Sequence, residues 1–378
     1  MEAVALPSEL VCAVLEHLDG HSLLPARLLS TQWRTLADLC LQGIHRRRGV
    51  SLCDAAAASG QLIILQSLHE RGFPLGTKAC AGAARGGHLK VLQWLCANGC
   101  PWDVEACADA ARGGHLSVLQ WARRNGYRYN EQECCNGAAK GGHLMVLEWL
   151  VDHGARPDAV TCAHAAKGGK IEVLMWLRSR RCPWDGTMCA TAARYGHLDV
   201  LQWVRSKDCP WDERVCASAA RGGHLKVLQW ARAHGCPWDF ETCDLAALGG
   251  HLEVLQWAHT HGCRSTATCA RAAKKGHLQV VQWARANGCP MNWSACAAAA
   301  SGGHLGVLQW LRANGCPWDE CTCSWAAREG HLKVLQWARA NGCPWSGWTC
   351  VYAKQEGHMD VFEWAYASGC PYDDLVGV

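Results

Sequence analysis

Cysteine and histidine recur in this 378-residue chain at spacings that raise three kinds of chemistry: disulfide bonding, metal binding and nucleophilic catalysis. Gly-His pairs carry His88, His115, His143, His197, His224, His251, His277, His304, His331 and His358. The steps are 27 residues except one of 28 and one of 26, with Gln61 and Lys170 filling two gaps, which makes twelve anchors. A cysteine stands eight residues before every anchor, as Cys80 before His88, and a second stands twelve after nine of them, as Cys100. Zinc sites need ligands two to four residues apart, twice over. Here the recurring pair is Cys-x6-Cys, as in Cys209 and Cys216, while Cys134-Cys135 and Cys321/Cys323 are isolated. A catalytic site should be singular, yet these motifs repeat, and no Ser-centred elbow, phosphate-binding Gly loop or zincin motif accompanies them. The chain is expected to be no enzyme and to hold no metal or cofactor. Its 26 cysteines would suit a disulfide scaffold only in a short secreted domain. Spaced like helix-packing residues, they read as small buried hydrophobes in a reducing compartment.

The period itself says what must position these residues. Repeats of 20 to 50 residues mark solenoids, in which each unit buries its apolar face only against its neighbours. In the unit from Asp103 to Tyr129, Asp103 suits a helix N-cap, and Cys107, Ala110 and Ala111 form one apolar stripe. Gly113-Gly114 ends this first helix. A second helix from about His115 carries Leu116, Val118, Leu119, Trp121 and Ala122 and closes at Gly126. A short extended connector follows, most often Cys-Pro-Trp-Asp, as at Cys236 to Asp239. Each unit is a helical hairpin plus a connector. The tryptophans of the second helices, Trp94, Trp121 and so on to Trp364, are expected in the core. The connector tryptophans, such as Trp102, Trp184 and Trp238, are expected to cover an open edge.

These residues resemble the ankyrin repeat. Aligned on His224, the chain supplies Ala219-Ala220, Gly223-His224, Val227-Leu228, Trp230-Ala231 and Gly235 at the family's core positions. The resemblance covers about 330 residues of the sequence and implies an all-α, ankyrin-type solenoid of twelve hairpins over residues 51–378. Family units have 33 residues, and the six absent here lie between the connector Asp and the next first helix. The β-hairpin finger of the family should therefore be blunt or missing, which moves the expected binding surface to the first helices.

Residues 1–50 lie outside the period, and residues 1–45 are expected to form a small helical domain. Leu6-Pro7, the spaced Leu10, Leu15, Leu18, Leu23 and Leu24, and then Arg27, Ser30, Trp33 and Arg34 fit three short helices. This segment resembles an F-box. The resemblance implies docking onto the Skp-type adaptor of a cullin-based ubiquitin ligase through Leu6, Pro7, Leu10, Leu15, Leu18, Leu23, Leu24 and Trp33. The repeats would then hold an unidentified target protein. The alternative is a plain scaffold whose head merely caps the first repeat.

Two ladders on the first helices are candidates for the partner-binding surface. Arg85, Arg112, Lys140, Lys167, Arg194, Arg221, Lys274 and Arg328 fall three residues before an anchor, in the last helical turn. A cation there complements the helix dipole by about 0.3–1 kcal/mol, and eight in register would also attract an acidic partner. Three residues earlier the identity changes from unit to unit: Asp109, His164, Thr191, Leu245, Arg271, Trp325 and Tyr352. A position that varies so widely in size and charge cannot all be core.

Composition narrows the classes further. Apolar residues make up 49% of the chain, ample for a folded protein, and the net charge of +4 disfavours nucleic acid as partner. The first residues have neither a basic start nor an apolar run of signal length, and no stretch approaches 18 apolar residues. A soluble monomer with no membrane contact, cytoplasmic or nuclear, is expected.

Overall fold

The computed structural model describes residues 52–372 apart from residue 71, so the head and its candidate residues Leu6 to Trp33 lie outside the described residues. The chain divides into two compact units, Met1–Trp184 and Asp185–Val378. Among the described residues the first holds five helical hairpins, from Leu52–Ala58 to Ile171–Ser179. The second holds seven, from Gly186–Arg194 to Met359–Ala367. Within each unit, a first helix packs against its own second helix and against the first helices before and after it. No strand occurs among the described residues, so the connectors there build no β-finger. The architecture is the all-α, ankyrin-type array of hairpins that the resemblance implies.

The hairpin of Glu213–Gly222 and Leu225–Ala233 shows how sequence builds one unit. Asp212 has extended backbone, and its carboxylate accepts from the Arg214 amide at 3.1 Å, satisfying a donor left open at the helix start. The first helix buries Val215, Cys216, Ala217, Ala219 and Ala220. These small side chains let neighbouring helices approach on both sides. The second helix buries Val227, Leu228 and Ala231 along one face. In the unit at Asp103, the helix starts at Glu105 with Val104 at the N-cap, yet the Asp103 carboxylate still accepts from the Glu105 amide at 2.9 Å.

Between the helices, Gly222-Gly223 serves two neighbours at once. Gly223 has φ of 77°, and a Cβ there would sit 2.5 Å from the ring of His251, one hairpin later. A Cβ at Gly222 would collide with the Arg194 carbonyl, one hairpin earlier. Glycine is needed both for the left-handed backbone and for the close stacking of hairpins.

Candidate functional site

The repeated histidines belong to the seam between hairpins. His115 Nε2 donates to the Arg85 carbonyl at 2.8 Å and His143 to that of Arg112 at 3.0 Å. In the second unit His224 donates to Arg194 and His251 to Arg221, both at 3.1 Å. A carbonyl can only accept, so Nε2 carries the proton. Each ring therefore satisfies a carbonyl at the end of the preceding first helix, one that has no intrahelical partner. Burial, against the pull of the Arg194 carbonyl, lowers the His224 pKa, and His304 is lowered in the same way.

The repeated cysteines form a second seam, inside each hairpin. Cys80 donates to Cys100 at 3.2 Å and Cys162 to Cys182 at 3.4 Å, sulfur to sulfur. The second thiol of a pair then donates to the carbonyl of the helix-capping residue, as Cys236 to Asp212 and Cys343 to Asp319, both at 3.4 Å. All described cysteines are free, and all but Cys96, Cys289 and Cys321 are buried. Burial pushes the Cys107 thiol up to about 12, which makes it a poor nucleophile. Among the described residues no group of three or more His, Cys, Asp or Glu side chains is placed to hold a metal ion.

The second-helix tryptophans differ from the expected core placement. The second-helix tryptophans, such as Trp230 and Trp257, are only half-buried, and the fully buried side chains beside them are Val, Leu and Ala. The connector tryptophans lie on them: Trp211 meets Trp230 and Trp238 meets Trp257, each with ring centroids 5.9 Å apart. An arginine of the preceding second helix covers the outer face, with Arg205 4.2 Å over Trp211 and Arg232 4.4 Å over Trp238. Both arginines also donate to a connector carbonyl, of Cys209 and Cys236 respectively, at 2.5 Å. These residues are part of the scaffold's flank.

The two ladders proposed for binding sit on the first helices. Arg85, Arg112, Lys140, Lys167, Arg194, Arg221, Lys274 and Arg328 all occupy the last helical turn. At the variable positions, Asp109 is buried, His164, Thr191, Leu245 and Tyr352 are half-buried, and Arg271 and Trp325 are exposed. In the first unit, Asp109 brings Arg85 (2.7 Å) and Arg112 (3.0 Å) together. Burial, then the charges of Lys167, Lys140 and Arg112, lower the His164 pKa against the opposing Glu133. Lys140 and Lys167 thus set up a positive field that helps to keep the His164 ring neutral. Arg194, Arg221 and Leu245 lie on three consecutive first helices of the second unit.

The second unit also brings several of the predicted residues into one groove. A depression of about 300 Å³ is lined by Arg271, Lys274, Trp293, Ala297, Ser301 and Trp325. The Arg328 guanidinium lies 5.1 Å from the Trp325 ring and 5.6 Å from Tyr352, and reaches Glu356 at 3.3 Å. Tyr352 stacks on Trp348 at 5.4 Å. Trp293 is 47%, Trp325 38% and Trp348 49% exposed. Large aromatics left in water beside arginine and lysine are the composition of protein-binding hot spots.

Sequence reasoning missed Trp293 and Trp348. They open their helices, Trp293 at the place held by Glu213 or Glu320 in other hairpins and Trp348 one residue later in the repeat. An apolar residue where a first turn favours acidic ones was the available signal.

Comparison with known proteins adds to the head. The F-box domain family matches residues 5–43, a span that contains Leu6, Pro7, Leu10, Leu15, Leu18, Leu23, Leu24 and Trp33. A search of curated proteins gave no match. Among solved structures, the human ASB11 ankyrin repeat domain is similar, with 19% identity and a TM-score of 0.34 over 43% of this chain and 85% of that one. No helix of the described residues is long and apolar enough to cross a membrane. The chain joins an F-box, matched at residues 5–43, to an ankyrin-type array of helical hairpins.

Proposed function

We propose that this chain is the substrate-recruiting F-box subunit of a cullin-type ubiquitin ligase. Residues 1–45 form the head and engage a Skp-type adaptor through Leu6, Pro7 and the spaced leucines. Residues 51–378 form the array, and its first-helix face holds the target protein. The observation that carries this reading is the F-box match ahead of an array whose exposed first-helix residues change from hairpin to hairpin. The chain works by proximity, since linking two binding events raises the effective concentration of one partner near the other. The chemistry belongs to the ligase.

The groove chemistry fits an acidic segment with apolar side chains. Arg271, Lys274 and Arg328 would meet its carboxylates, and Trp293, Trp325 and Trp348 its apolar groups. The protein acts as a soluble monomer in the cytoplasm or nucleus, where thiols stay reduced.

Co-purification of the intact chain with a Skp-type adaptor tests this reading. Wild type should retain the adaptor, and Pro7→Ala combined with Leu10→Asp should lose it while the array stays helical. An intact head that retains no adaptor would leave the array as a plain scaffold with a capping head.

A further inference from the structure

Connectors of the second unit place an indole in one recurring pose. Trp211, Trp238, Trp318 and Trp345 each meet a second-helix tryptophan with ring centroids 5.9–6.0 Å apart and planes inclined by 62–66°. An arginine of the preceding second helix lies 4.0–4.4 Å over each connector ring: Arg205, Arg232, Arg312 and Arg339. The slot between successive hairpins is thus shaped for one indole, held by a ring edge and a cation.

One hairpin keeps the slot but not its indole. The period contracts to 26 residues between His251 and His277, and the connector there reads Cys263-Arg264-Ser265-Thr266. Ser265 stands at the place of Trp211 and Trp238, and His259 at the place of Arg205 and Arg232. The second-helix tryptophan, Trp283, is retained, and His259 meets it edge-on at 5.3 Å. A cavity of about 620 Å³ lies beside them, lined by Asp244, His259, Arg264, Ser265, Arg271 and Trp283. Phe240 and Asn287 also border it and are exposed, so its mouth is in solvent. Cys289, at the place of the fully buried Cys236 and Cys316, is half-buried here. The volume is that of a pocket able to take a large side chain.

We propose that this cavity receives a tryptophan side chain of the target protein, in the place of the absent connector indole. The inference rests on the reading that the second unit's first helices hold a target. The cavity shares Ala267 and Arg271 with the aromatic groove, so a segment lying along the groove reaches it with one side chain. Charge selects the occupant. Two guanidinium groups, Arg264 and Arg271, against the one carboxylate of Asp244 leave the lining net positive. That suits the negative face of an aromatic ring and disfavours a cationic side chain. The Asp244 carboxylate is 4% exposed, accepts from Ser265 Oγ at 2.5 Å and lies 4.0 Å from Arg271 Nε. It supplies the acceptor that the N–H of a buried indole needs.

The test is fluorescence anisotropy of a labelled acidic peptide with one tryptophan, and of two counterparts with alanine or lysine in its place. The full-length wild-type chain should bind the tryptophan peptide roughly tenfold tighter than either counterpart. Ser265→Trp, which fills the slot with the chain's own indole, should remove that preference and leave the affinity for the alanine peptide unchanged. Trp293→Ala with Trp325→Ala should weaken all three peptides alike. If the groove reading alone is wrong, this double variant changes nothing while the tryptophan preference persists, and the cavity assignment stands. Equal binding of the three peptides to wild type, or no binding, would overturn the proposal. A preference that survives Ser265→Trp in a chain of unchanged helicity would overturn it too. The wild-type comparison decides the matter even if Ser265→Trp fails to fold.

Discussion

In the unit Met1–Trp184, Arg85 and Arg112 close on Asp109, whose side chain is only 10% exposed. In Asp185–Val378 the same helical position is Arg271, Trp325 or Tyr352, and Trp293 and Trp348 stand exposed beside them. The seam beneath is the same in both: histidine to carbonyl, cysteine thiol to capping carbonyl, glycine under imidazole. Arg85 and Arg112 are drawn onto a buried carboxylate, whereas the second unit's Arg328–Glu356 pair is solvent-exposed and lies beside aromatics that remain in water. Exposed aromatics of this kind leave binding capacity available. On this comparison we propose the second unit's first helices as the recognition surface and a structural role for the first unit's Arg85–Asp109–Arg112 cluster.

The largest effect should be common to both units. Leu119→Ala and Leu228→Ala each empty a fully buried site and should each cost about 2–5 kcal/mol in chemical denaturation. A large cost in one unit alone would break the idea of a shared scaffold. Next, Trp293→Ala with Trp325→Ala should weaken target binding by about 2 kcal/mol or more, roughly thirtyfold, and leave the denaturation midpoint almost unchanged. Asp109→Asn should do the reverse. It should cost about 1 kcal/mol of stability, since both arginines are partly exposed, with no change in target affinity.

The smallest effect is on pH. His224 and His304 have folded-state pKa values below the usual 6.5. Above 6.5 both folded and unfolded chains hold neutral rings. As pH falls below 6.5 the unfolded chain takes up protons first, so stability declines until the folded-state pKa is passed. Melting temperatures between pH 7.5 and 5.5 should fall on this limb, and His224→Gln should make the fall shallower.

Much of the scaffold was legible because it is local. Asp212 and Gly223 act within one turn of a helix, and the His224 anchor repeats at a fixed step. The seams were less legible, since His224 and Arg194 lie 30 residues apart and Cys80 and Cys100 20 apart. Their pairing follows from stacking of whole hairpins. The surface was hardest to read. Asp109 looked like an open recognition position, but Arg85 from the previous hairpin covers it. The tryptophans looked like core because a half-buried aromatic on a helix has the same spacing as a buried one. Trp293 and Trp348 were passed over as helix starts, where the residue type mattered more than the position.

The central claim is that target recognition lies on the aromatic first-helix face of the second unit, apart from the head. Affinity capture from cells, comparing wild type, Trp293→Ala/Trp325→Ala/Trp348→Ala and Asp109→Asn, tests it most directly. The account predicts that the triple tryptophan variant keeps its Skp-type adaptor but loses the other proteins that wild type and Asp109→Asn retain. An unchanged set of bound proteins in the tryptophan variant, or their loss in Asp109→Asn alone, would contradict it.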